Sequence, residues 1–423
     1  MNNILERDLQ KKELILAADN ISFINEHGNI ILDASSNVIN VNLGYSQEIL
    51  IHAMEKQARL IPYCHNSFAN VEIQRKLADK LLEISKLRDY KCYFCSSGSE
   101  TIEFSLRLAN LIHESKRNKC LSFEGSYHGS SLGALSVSGT NQKKFYKNIL
   151  PKNDFLKIPN CNKCLNKKCS NCVFVNEIVK LLRSKKYHSL IIDPMGSNAL
   201  GFIKYSNEYI KTINYFCKET NTILILDEIT TSIGRTGEPF AYNHYKDITP
   251  DIICLSKGLG VGYANIGVAL VRENIIYDLD YSSTNLLGNT YNGNPIACAV
   301  AFEAINIIQN TNIITNIRKN SQTIDDYFNS IRKKRIVSGV FGKGLWYSIN
   351  FIPDESCNYA QLIKSKCLKK GVHILSSQYF FENKIYSHLS FAPPFIIKKH
   401  ELLTIINVIE ESIYELEVEL NGK

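Results

Sequence analysis

Thr222-Ile223-Leu224-Ile225-Leu226-Asp227-Glu228 runs five strand-forming residues straight into two carboxylates. An apolar run of this length fits a strand buried on both faces of a sheet. Similar runs recur at Tyr93 to Cys95, Cys120 to Phe123, Ser189 to Ile192, Ile252 to Leu255 and Ile266 to Val271, with longer segments of helical periodicity between them. The alternation predicts an α/β fold with a mostly parallel central sheet and helices on both faces. Ligands of such sheets bind at the carboxyl ends of the strands, where Asp227 and Glu228 stand. A carboxylate at that edge needs a cationic partner if it is buried. Taken alone, the pair reads better as a solvated strand end.

Two further strand ends carry chemistry. Ser96-Ser97-Gly98-Ser99-Glu100 follows the Tyr93 to Cys95 strand and precedes a helix with Phe104, Leu108 and Leu111 at helical spacing. Ser97 and Glu100 fit a capping box, which leaves the Gly98 and Ser99 amides at a helix N-terminus suited to a phosphate. No Gly-Lys-Ser/Thr follows, so this is not a nucleotide-triphosphate loop. Lys257, in Ser256-Lys257-Gly258-Leu259-Gly260, follows the Ile252 to Leu255 strand. Desolvation there lowers an amine's pKa and makes it a nucleophile toward carbonyls. Each feature has a plainer reading: a capped helix, a surface lysine. Together they supply a helix end for a phosphate, a carboxylate for a protonated ring nitrogen and a lysine for an aldehyde, which are the groups pyridoxal 5′-phosphate requires.

Composition agrees with a small-molecule protein. The chain has 423 residues, 44% hydrophobic and 21% charged, with 49 Lys and Arg against 41 Asp and Glu, a formal charge of +8. It lacks the dense basic runs of a nucleic-acid binder, and no apolar stretch approaches a membrane span. Thirteen cysteines is an odd count, and the opening segment Met1 to Lys12 has no signal-peptide pattern. The expected home is a reducing cytoplasm, not a secreted disulfide framework.

The expected organisation has three parts. Residues 1–56 form an N-terminal arm that begins with a polar helix and ends in a helix from Ser46 carrying Ile49, Leu50 and Ala53 on one face. Residues 57–295 form a large cofactor-binding domain with a Cys-rich insert at 158–175. Residues 296–423 form a smaller α/β domain, punctuated by Gly342, Gly344 and Pro393-Pro394.

The Ile223 to Leu226 strand leading into Asp227-Glu228, then Gly234-Arg235-Thr236-Gly237 and Ser256-Lys257-Gly258, resembles the signature of class III, or ω-type, pyridoxal-phosphate aminotransferases. The resemblance runs from about Ile30 to Pro394. It implies fold type I of the pyridoxal-phosphate-dependent transferases, with Lys257 forming the internal aldimine and Asp227 pairing with the pyridine nitrogen. Gly98 and Ser99 would bind the phosphate, and Tyr127 of Tyr127-His128-Gly129 would stack on the ring. Thr290, in Thr290-Tyr291-Asn292-Gly293-Asn294-Pro295, resembles the residue that reaches the partner's cofactor phosphate across a homodimer interface. The implied activity is transfer of an amino group between an amine donor and a carbonyl acceptor. An aminomutase or decarboxylase on the same fold, or a non-catalytic adaptor, stays open.

Three positions depart from that pattern. Glutamate-using members carry an Arg three residues before the Pro-Pro pair, where this chain has Ser390; they pair it with a Glu where Asp193-Pro194 here leads to Asn198. A serine hydroxyl cannot replace a bidentate Arg–carboxylate clamp. Glutamate and 2-oxoglutarate are therefore not expected to bind in the usual way. Thr230 replaces a common Gln near the cofactor's ring hydroxyl, a change expected to matter only for fine tuning. Tyr63 and His65 match the substrate entrance, although a loop aromatic and a loop histidine are more often structural.

Cys161, Cys164, Cys169 and Cys172 form paired CxxC knuckles in a Lys- and Asn-rich loop outside the family's core pattern. Four thiolates satisfy a closed structural zinc site and leave no open catalytic position. Free thiols or an iron–sulfur centre are the alternatives. Lys163, Lys167 and Lys168 in the same insert could meet a peptide or carrier partner, a solvated loop being the plainer account. Cys92 and Cys95, beside the phosphate loop, read as packing residues. Metal analysis of the purified protein is expected to find bound zinc; no zinc or iron, with four titratable thiols in the insert, would end that expectation.

Overall fold

The computed structural model describes residues 13–159, 173–197, 200–277, 279 and 288–422. The four insert cysteines, the insert lysines and Asn198 lie outside these residues, as does the chain up to Lys12, where the polar helix was expected to begin. From Ile15 the arm is extended. Strands β1 (Ile15–Asp19), β2 (Ser22–Asn25) and β3 (Ile30–Asp33) pair antiparallel. The helix Glu48–Leu60 buries Leu50 and Gln57, but Ile49 is 58% exposed. The expected Ile49-Leu50-Ala53 face is thus corrected: the buried stripe is centred on Leu50 and Gln57, and Ile49, about 100° around the helix from Leu50, falls on its exposed flank.

The central sheet takes β4 (Tyr90–Cys95), β5 (Lys119–Phe123), β6 (Asp154–Leu156) and β7 (Tyr187–Ile192). A hairpin of β8 (Met195–Ser197) and β9 (Gly201–Lys204) intervenes before β10 (Ile223–Asp227), β11 (Ile252–Leu255) and β12 (Gly267–Arg272). The seven strands lie in the order β4-β12-β11-β10-β7-β5-β6. From β11 to β6 every pairing is parallel, and β12 is antiparallel to both its neighbours. Every residue of β7, β10 and β11 is buried, which is why these strands read as unbroken apolar runs instead of alternating ones.

Toward the C-terminus, β13 (Val337–Lys343), β14 (Trp346–Phe351), β16 (Leu375–Phe381) and β17 (Lys384–Phe391) form an antiparallel sheet in the order β13-β14-β17-β16. The short β15 (Val372–His373) pairs with β3 instead, which stitches the arm to the C-terminal segment. No helix among the described residues is long and apolar enough to cross a membrane.

Arg235 joins these parts. Gly234 and Gly237 take left-handed φ values of 93° and 85° around it, a turn that favours glycine. Its guanidinium is fully buried and donates to the carbonyls of Leu345 at 3.0 Å and Pro393 at 2.7 Å, to Ser36 Oγ at 3.0 Å and to Asn42 Oδ1. It also lies 4.6 Å from the centre of the Phe395 ring. Burial pushes it down to about 9, so it remains charged at neutral pH without a carboxylate in ion-pair contact among the described residues. The fork holds the arm, the cofactor-side loop and the C-terminal sheet in one geometry that a lysine's single nitrogen cannot copy. Arg235→Met should lower unfolding free energy by about 3 kcal/mol or more by stranding buried acceptors, and Arg235→Lys should recover little of it. A denaturant midpoint equal to that of the unaltered protein in either variant would contradict this role.

Candidate active site

Where β4 ends, Ser97 is extended at φ −156°, ψ 166° and caps the helix Gly98–Ile112, its Oγ accepting from the Glu100 amide at 3.3 Å. The reciprocal half of the expected capping box is displaced by one residue, since the Glu100 carboxylate accepts from the Ser96 amide at 2.9 Å. The Gly98 and Ser99 amides have no acceptor among the described residues. These are the free donors of a helix start, aided by the helix dipole. Side chains are excluded around them. A Cβ on Gly98 would lie 2.9 Å from Ile229 Cδ1, and one on Gly129, at φ +136°, would lie 2.5 Å from Ser99 Oγ.

Asp227 closes β10 and is 3% exposed. Its Oδ1 accepts from the Ile229 amide at 3.0 Å, and its Oδ2 lies 2.7 Å from His128 Nδ1. With the carboxylate as acceptor, Nδ1 carries the proton; Nε2 is buried without a partner. The donor atoms of His128, Asp193 and Asp227 lie within 4.8 Å of one another. Burial, and then the charge of Asp227, hold the Asp193 carboxyl well above the usual range. Glu228 turns away from this cluster and accepts from the Ala241 amide at 3.0 Å, the Tyr242 amide at 2.7 Å and the Thr231 hydroxyl. Burial still pushes it up to about 7 against those bonds. Asp227 thus meets the cavity, and Glu228 anchors the following loop.

The β10–β11 register brings in the amine. Asp227 stands opposite Cys254, so the chain leaving β11 at Leu255 delivers Lys257 to the same sheet edge. Lys257 takes a left-handed φ of 40°, a costly conformation for a residue with a Cβ. The turn is closed by Gly258, where a Cβ would lie 2.3 Å from Asn42 Nδ2. Lys257 Nζ donates to Thr230 Oγ1 at 3.0 Å. Desolvation lowers the amine's pKa, while Asp227 and Asp193 pull it back up.

Ser97, Gly98, Ser99, Tyr127, His128, Gly129, Asp227, Ile229, Thr230, Ser256 and Lys257 line one cavity of about 160 Å³. Five of the expected residues therefore meet: Gly98, Ser99, Tyr127, Asp227 and Lys257. Thr290 does not line this cavity; it is exposed, and its carbonyl accepts from Tyr63 Oη at 3.0 Å. Tyr63 and His65 are likewise absent from the lining. Ser390 is buried in β17, opposite Ser348 of β14. The sequence reading missed His128 and Asp193, and it gave Thr230 too small a part, since Thr230 is the amine's direct hydrogen-bond partner. The usable signal for His128 was its place between Tyr127 and Gly129 in the loop that follows β5. Cys95 is buried and Cys92 half-buried, and burial pushes both thiols up to about 12, as suits packing residues.

Free amides beside spaces that a Cβ would fill, a carboxylate with lone pairs to spare and a desolvated amine fit pyridoxal 5′-phosphate. The comparisons point the same way. The family model for aminotransferase class III matches residues 9–413. An adenosylmethionine-8-amino-7-oxononanoate aminotransferase from Buchnera aphidicola subsp. Schizaphis graminum is 31% identical, over 94% of this chain and 91% of its own. An acetylornithine/succinyldiaminopimelate aminotransferase from Buchnera aphidicola subsp. Acyrthosiphon pisum is 30% identical, over 89% and 86%. A solved aminotransferase from Bacillus anthracis shares the fold at a TM-score of 0.90 and 24% identity, covering 98% of this chain and 96% of that one. With the family model spanning nearly all of its length, the chain belongs to the class III aminotransferases.

Proposed function

We propose that the 160 Å³ cavity holds pyridoxal 5′-phosphate and that Lys257 and Asp227 are its working residues. One observation carries this reading: the free Gly98 and Ser99 amides, Asp227 and Lys257 converge on the same cavity. The amides would take the phosphate, Asp227 the ring nitrogen, Tyr127 a ring face and Lys257 the aldehyde end. When bound, the cofactor supplies an electron sink for the pair left behind as a substrate C–H bond breaks. The chain's own part is positional and acid–base. His128 and the Ile229 amide each give Asp227 one hydrogen bond, which fixes the carboxylate and leaves lone pairs facing the cavity. Desolvation makes the Lys257 amine easier to deprotonate, so it can accept a proton from the substrate carbon and return it elsewhere. Thr230 Oγ1 holds that amine in place.

We also propose a homodimer with shared sites. The exposure of Thr290, away from its own chain's cavity, and the exposed Phe68 and Tyr291 support it. The amine donor is read as something other than glutamate held by an Arg–Glu pair. Ser390 stands at the Arg position, and no guanidinium is among the described residues lining the cavity.

Lys257→Ala should abolish the visible absorption band of lysine-bound cofactor and lower turnover by at least about 10²-fold. Asp227→Ala should weaken cofactor retention and slow turnover, without loss of the folded state. A Lys257→Ala enzyme with an unchanged band and rate would sink the assignment. A half-reaction screen over a panel of amines, including adenosylmethionine, should find at least one donor about tenfold or more faster than glutamate; tight, fast conversion by glutamate would contradict the Ser390 argument.

A further inference from the structure

A second cavity, of about 300 Å³, lies between the β8–β9 hairpin and the C-terminal sheet. Phe202, Phe341, Phe351 and Tyr386 give it aromatic walls, and Asn350 and His388 supply polar groups. Apolar side chains and two serines complete the described lining, which includes no Asp, Glu, Lys or Arg and shares no residue with the cofactor cavity. In β17 His388 sits between Asn350 of β14 and Ser377 of β16. It is 2% exposed, and its ring nitrogens have no hydrogen-bond partner among the described residues. Asn350 Oδ1, on the neighbouring strand, is also buried without a partner. Buried polar atoms are almost always paired, so the one buried orphan, Asn350 Oδ1, beside an imidazole that has no partner among the described residues, makes a polar guest in the cavity the available partner.

The kind of partner follows from the walls. Burial pushes His388 down to about 4, and no acid or base among the lining residues opposes this, so the imidazole is neutral. A neutral imidazole keeps one acceptor nitrogen. Among the described lining residues an anion would find no cation, and a cation no carboxylate. Aromatic walls favour a flat ring, and the volume suits one or two rings. We propose that this cavity is a second binding site, for a neutral, flat, largely apolar molecule whose hydrogen-bond donor is accepted by His388 and whose other polar contact is Asn350. The walls come from both the hairpin and the C-terminal sheet, so an occupant would also brace the two against each other.

Trp346, the single tryptophan of the chain, stands edge-to-face on Phe202 with ring centres 5.5 Å apart and reports on the cavity wall. The test titrates cofactor-loaded enzyme with phenol, and with benzoate and toluene for comparison. Trp346 fluorescence and the histidine signals of 15N-labelled protein are the readouts. Phenol should give a saturable fluorescence change, move the His388 signal, raise the melting temperature and leave the visible cofactor band in place. Benzoate and toluene should bind about tenfold more weakly or less, for want of a countercharge and of a donor respectively. His388→Ala should weaken phenol about tenfold, and Asn350→Ala provides the same test if His388→Ala does not fold. No saturable response to phenol, equal binding of benzoate, displacement of the cofactor band, or unchanged phenol affinity in a folded variant would overturn the proposal and leave a water-filled cavity.

Discussion

The amine of Lys257 is largely desolvated at a sheet edge that also carries carboxyl groups, and the rest of the site is arranged around that constraint. Desolvation lowers the amine's pKa, and the carboxyl groups of Asp227 and Asp193 oppose that shift. The balance leaves a lysine that can either carry a proton or attack a carbonyl, which is what amino-group transfer asks of it. The parallel register of β10 and β11 sets the spacing, with Asp227 opposite Cys254 and Lys257 just beyond. A slip of one residue would turn the strand's side chains to the wrong faces. The left-handed backbone at Lys257 is a local cost that the surrounding contacts must offset, and the Asn42 amide packed against Gly258 is one of them.

Much of this was legible in the chain because it is local. Buried parallel strands leave unbroken apolar runs, so β10 and β11 could be marked within a residue of their ends, and the residues at their carboxyl ends followed. The Gly98-Ser99 helix start was legible for the same reason, although Glu100 caps Ser96 and not Ser97. What sequence spacing could not supply were contacts between distant segments. Arg235 bonds to Ser36 and Asn42 across nearly 200 positions of chain, so the Gly-Arg-Thr-Gly stretch could be matched to a family but not explained. Thr230 was underrated because only the folded Lys257 side chain shows what it touches. Ile49 was misplaced because four apolar residues in five, Ile49, Leu50, Ile51 and Ala53, do not fix which side of a helix is inward, and packing chose Leu50.

The C-terminal sheet sharpens the view of specificity. Ser348 and Ser390 stand opposite each other on β14 and β17, and Asn350 and His388 form the next such pair. This stretch of sheet therefore presents small or neutral polar groups. The same neutrality gives the second cavity its preference for an uncharged guest.

The central claim is that Lys257 is the residue that meets the cofactor's aldehyde. Borohydride reduction of the cofactor-loaded enzyme, followed by proteolysis and mass mapping, tests it without altering the protein. The account predicts a pyridoxyl mass addition confined to Lys257. Addition at another lysine, or none in enzyme that turns over, would contradict it.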